Sequence, residues 1–62
     1  MLVNLKKLEI ILVNKEMSFA DLMTKTGISA SCVGNLKKGG DMRIKTVSKI
    51  VKALDINVED IV

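Results

Sequence analysis

Placed on a helical wheel at about 100° per residue, the apolar side chains gather into a few short segments. In the first, Leu2, Leu5, Leu8, Leu12 and Val13 share one broad face, with Ile11 at its edge. That spacing predicts an amphipathic helix from about Leu2 to Asn14. Val3 and Ile10 fall outside the face, so this helix carries more apolar surface than a single core contact uses. The surplus has two outlets: an interface with a second copy of the chain, or packing of Ile10 or Val3 under the C-terminal tail.

A second helix is predicted to start after Ser18, whose hydroxyl suits the N–H of Asp21 while the Asp21 carboxylate reaches back, a capping box with Asp in place of Glu. Met17 and Leu22 form the matching hydrophobic staple, and Gly27 supplies the left-handed stop. Directly afterwards the device repeats, with Ser29 as cap and Ile28 and Val33 as staple, giving a third helix to about Lys38. Gly39-Gly40 end it, and Asp41 is the expected cap of a fourth. There Ile44, Val47, Ile50, Val51 and Leu54 occupy roughly a third of the wheel, opposite Lys45, Lys49 and Lys52. Asn57 is the expected cap of a final short turn, Val58 to Val62, whose Ile61 and Val62 close the core against the first helix. No strand alternation and no internal repeat is visible.

A chain of 62 residues has room for one small core, so residues 1–62 are expected to form a single domain. With 48% hydrophobic and 27% charged residues it reads as globular. The longest apolar run, Ile10-Ile11-Leu12-Val13, is far short of the ~20 residues of a membrane helix, and no signal-peptide shape precedes it. A soluble, cytoplasmic protein is the expectation. One cysteine, Cys32, and no histidine leave no internal disulfide, no metal site of ordinary spacing and no imidazole chemistry. No cofactor is called for, and the composition points to binding, not catalysis.

Charge sharpens that reading. Residues 1–24 hold three Lys and three acids, residues 25–54 hold six Lys, one Arg and one Asp, and residues 55–62 hold three acids, giving net charges of 0, +6 and −3. A basic middle suits a nucleic-acid face, and equally a solvated lysine surface. The third helix falls in that middle. Two short helices separated only by Gly27-Ile28-Ser29 cannot lie antiparallel, so the chain turns sharply there, and residues 18–38 read as a helix-turn-helix.

Ser18, Leu22, Gly27, Ile28, Ser29, Val33, Leu36 and Gly39, followed by Thr46-Val47 and Ile50 to Leu54, resemble the Cro/C1 (XRE-type) family of bacterial, phage and mobile-element DNA-binding regulators across essentially the whole chain. The resemblance implies an all-α, compact five-helix bundle of lambda repressor-like type, acting as a homodimer on inverted-repeat operators in double-stranded DNA. Three positions depart from the family pattern: Phe19 where Gln is common, Met23 where a small residue is usual, and Lys37 where Glu is frequent.

Val33 and Leu36 set the buried direction of the third helix, and Ser31, Gly34, Asn35 and Lys38 lie opposite, with Ala30 beside them at the helix start. Small and polar side chains near a helix N-terminus suit the major groove, where amides and hydroxyls pair with base edges. The resemblance implies the same: Ala30, Ser31, Gly34 and Asn35 stand at base-approaching positions, with Asn35 the strongest candidate. Phosphate candidates are Arg43 and Lys38, then Lys37 and Lys25, together with the helix start capped by Ser18. Cys32 falls toward the core edge, as a small hydrophobe or, less simply, a redox thiol.

The expected function is sequence-specific transcriptional regulation by a repressor, with no enzymatic activity. The alternatives are a protein-interaction module of the same fold, antitoxin-like or anti-repressor, and a non-specific DNA binder. A protein-binding face would carry large anchors, and Ser29 to Lys38 presents none outward.

Overall fold

A computed structural model describes residues 1–62 as four α-helices and one terminal 3-10 turn, with no strands. The helices are α1 (Leu5–Asn14), α2 (Phe19–Thr26), α3 (Ala30–Gly39) and α4 (Ile44–Leu54), and the turn is Val58–Asp60. Twelve apolar residues form one core, among them Leu8, Leu22, Leu36, Ile50, Leu54 and Ile61, each at most 1% exposed. No helix is long and apolar enough to cross a membrane.

The expected fifth helix is absent. Asp55 ends α4 in the left-handed conformation, with the Ile56 N–H reaching back to the Val51 carbonyl at 3.0 Å. Beyond it the Asp60 carboxylate accepts the Asn57 N–H at 3.0 Å and a single turn forms. After that turn the Ile61 carbonyl accepts the Asn4 N–H at 2.6 Å, which ties Ile61 to the residue that caps α1. Ile61 closes the core as expected, whereas Val62 stays 45% exposed.

The start of the chain also differs from the wheel reading. Asn4 is extended, and its side chain accepts the Lys7 N–H at 3.1 Å, so α1 begins at Leu5 and not Leu2. Residues 1–3 instead lie along the loop after α3: the Val3 N–H donates to the Gly40 carbonyl at 2.7 Å and the Met42 N–H to the Met1 carbonyl at 2.8 Å, around an isolated antiparallel bridge between Leu2 and Asp41. An extended segment alternates its side chains. Val3 is therefore buried and Leu2 exposed, the reverse of their places on a helical wheel. On α1, Leu8 and Leu12 are buried and Leu5 and Ile11 pack on the core, while Ile10 and Val13 face solvent.

Asp41 does not cap α4. Its carboxylate lies 3.3 Å from the Met1 ammonium, and Arg43 takes the cap position without a side-chain hydrogen bond. This places Ile44 in the first helical position, where it is 69% exposed, and Met42 enters the core in its stead. Val47, Ile50 and Leu54 are buried as the periodicity requires.

Candidate nucleic-acid interface

The turn between α2 and α3 is fixed by bonds among near neighbours. At the start of α2, the Ser18 hydroxyl accepts the Asp21 N–H at 3.1 Å and the Asp21 carboxylate accepts the Ser18 N–H at 2.9 Å. The Ser18 backbone N–H first, and then the Ser18 hydroxyl beside the carboxylate, hold the Asp21 carboxyl below its ordinary value. At the other end the Gly27 N–H closes on the Met23 carbonyl at 2.8 Å with φ at +76°, a conformation that suits glycine. The Thr26 hydroxyl donates to the Leu22 carbonyl at 2.7 Å and accepts the Ile28 N–H at 3.3 Å, and Ile28 plugs the corner. Ser29 then caps α3 by accepting the Cys32 N–H at 3.3 Å. Met23 is half-buried against the core, so the bulkier residue is accommodated within the packing.

With Val33 and Leu36 buried, α3 presents Ala30, Ser31, Asn35, Lys37 and Lys38 to solvent and leaves Gly34 half-exposed. Asn35 lines an open cleft of about 750 Å³ between α3 and the start of α4, together with Cys32, Asp41, Arg43, Ile44 and Thr46. The strongest base-reading candidate and the strongest phosphate candidate thus share one surface. Lys37 and Lys38 are elsewhere: they line a shallower cleft between the end of α3 and the start of α1, beside Lys6. The lysines and the arginine expected to flank α3 together are therefore split between its two sides. Lys25 is exposed in the last turn of α2. At the α2 start both polar groups of Ser18 serve the cap, which leaves the N–H groups of Phe19 and Ala20 without protein acceptors.

Cys32 is half-buried at the core edge. Its thiol is held below the ordinary value chiefly by the Ser29 hydroxyl, which donates to Sγ at 3.5 Å, with the positive charges of Arg43 and Lys49 assisting. Lys49 is exposed on α4, and its place opposite the apolar face of that helix gives no sign of a partner on α3. Lys6 likewise carried no signal for its place beside Lys37 and Lys38, since some thirty positions separate them and only tertiary packing joins them.

Paired capped helices at a sharp turn, with a small, polar outward face on the second and basic residues on both sides of it, define a helix-turn-helix DNA-binding protein. The chain belongs to the Cro/C1-type helix-turn-helix DNA-binding domain family, whose family model matches residues 7–62. No curated protein and no solved structure matches the chain.

Proposed function

We propose that residues 1–62 act as one domain, a sequence-specific transcriptional repressor that lays α3 in the major groove of double-stranded DNA. The observation that carries this reading is the cleft shared by Asn35 and Arg43, beside an exposed face of α3 free of large apolar side chains. An amide there can pair with a base edge while the guanidinium grips the adjoining phosphate. Ala30, Ser31 and Gly34 allow the helix to approach closely, and Ser31 adds a hydroxyl for a second base contact. Lys25, Lys37 and Lys38, with the backbone start of the helix capped by Ser18, hold the sugar-phosphate strands on either side. Asp21 at that same helix start opposes an anion, so the Ser18 end ranks below the lysines.

The working form is a homodimer on an inverted repeat, with two copies of α3 in successive major grooves about 34 Å apart. Exposed Ile10 and Val13 on α1, at 54% and 72%, supply apolar surface for such pairing. Repression follows from occupying a promoter, in the cytoplasm of a bacterial or phage-bearing cell.

The test is affinity selection on a randomised duplex library at about 0.15 M salt, where non-specific binding is weak. An enriched inverted repeat with half-site centres near one helical turn is expected. A bound pool without sequence preference would replace this reading with non-specific DNA binding, and no bound pool with a partner-binding module.

A further inference from the structure

The one aromatic side chain of the protein, Phe19, opens α2, and the ammonium of Lys37 from the last turn of α3 lies 5.2 Å from its ring centroid. Phe19 is half-buried against the core and Lys37 is exposed, so packing fixes the ring and the lysine is the partner that is held. No carboxylate competes for Lys37, because the single ion pair of the protein joins Met1 to Asp41. That difference matters on a surface that meets a polyanion. A carboxylate would fix the lysine by cancelling its charge, whereas the face of an aromatic ring fixes it and leaves the whole charge available. The pair also bridges the first residue of α2 and the last turn of α3, across the helix-turn-helix.

We propose that Phe19 is a positioning residue for DNA binding: its ring pre-sets the Lys37 ammonium, so that this lysine meets the DNA backbone as an already ordered charge. An unheld lysine must surrender rotamer freedom when it contacts a phosphate, and prior ordering removes that cost. The proposal rests on the DNA-binding reading above.

Two measurements test it. In the free protein, NMR should place the Lys37 ε-methylene resonances upfield of those of the other eight lysines, through the ring current of Phe19. Phe19→Leu should abolish the displacement and Phe19→Tyr should keep it. The second measurement is affinity for a short fluorescein-labelled duplex of arbitrary sequence at low ionic strength, where phosphate contacts dominate. Phe19→Leu should weaken binding roughly two- to fivefold with an unchanged salt slope. Lys37→Met should weaken binding and lower the slope by about one unit. Adding Phe19→Leu to Lys37→Met should cost nothing more, and Phe19→Tyr should bind as the parent does. An equal loss from Phe19→Leu in both backgrounds would overturn the proposal, as would Lys37 resonances that ignore the ring. Failure of the parent protein to bind the duplex, with the upfield displacement intact, would overturn the DNA-binding reading and the role of Phe19 in it, and leave the pair as a contact of the fold alone.

Discussion

The two connections that flank α3 are built on opposite principles. Between α2 and α3 every hydrogen bond joins near neighbours: Gly27 to Met23, Thr26 to Leu22 and Ile28, Ser29 to Cys32. Between α3 and α4 the loop is held by the opposite end of the chain, Gly40 by Val3 and Met42 by Met1. Both have a glycine at φ +76°, Gly27 in the first and Gly40 in the second. The first is a self-contained corner that sets the angle of α3. The second depends on the folded whole, and it carries Arg43.

The largest effect that separates the two should come from the glycines. Gly40→Ala puts a methyl group against the Val3 carbonyl oxygen in a backbone conformation already unfavourable for L-residues, and is expected to cost about 2–4 kcal/mol in urea unfolding. Gly27→Ala meets the same backbone strain in open space, with nothing within 4 Å, and should cost only about 1–2 kcal/mol. Equal costs would mean that residues 1–3 do not brace the loop.

An intermediate effect belongs to the α2 cap. Ser18→Ala should destabilise by about 1 kcal/mol. The Asp21 carboxyl is held low in the folded protein, first by the Ser18 backbone N–H and then by its hydroxyl. Its contribution is therefore complete above the ordinary carboxylate value and is lost as pH falls through that value and the lower folded one. Thermal melts across the acid range should show this loss in the parent, and a shallower acid limb in Asp21→Asn.

The smallest effect has the opposite sign. Gly34 lies inside α3, and a methyl group there would meet nothing within 4 Å. Gly34→Ala should stabilise the protein by about 0.5–1 kcal/mol. The same substitution should weaken binding to the selected operator, because the added methyl group stands on the face proposed to approach the bases. A gain in stability with unchanged affinity would remove Gly34 from that face.

The contrast also explains what was legible in the sequence. Caps and staples act over three or four residues, so Ser18 with Asp21, Gly27, Ile28 and Ser29 could be assigned from spacing alone. The pairing of residues 1–3 with Gly40–Met42 leaves no periodic trace, so helical spacing extends to Leu2 and Val3 although α1 starts only at Leu5. The start of α4 likewise lies at Arg43 and not Asp41, which leaves Ile44 exposed and puts Met42, outside the helical period, into the core. At the candidate site, the outward residues of α3 followed from Val33 and Leu36. Which basic residues stand on which side of α3 did not, because Arg43, Lys37 and Lys6 are brought there by tertiary packing.

The most direct test of α3 as a base-reading helix compares Asn35→Ala with Arg43→Ala on the selected operator and on variants changed one base pair at a time. Asn35→Ala should cost about 1–3 kcal/mol on the operator and relax the preference at one position. Arg43→Ala should weaken binding to all duplexes alike and lower the salt slope by roughly one unit. If Asn35→Ala instead lowered affinity for every duplex equally, with every base preference retained, Asn35 would not read sequence.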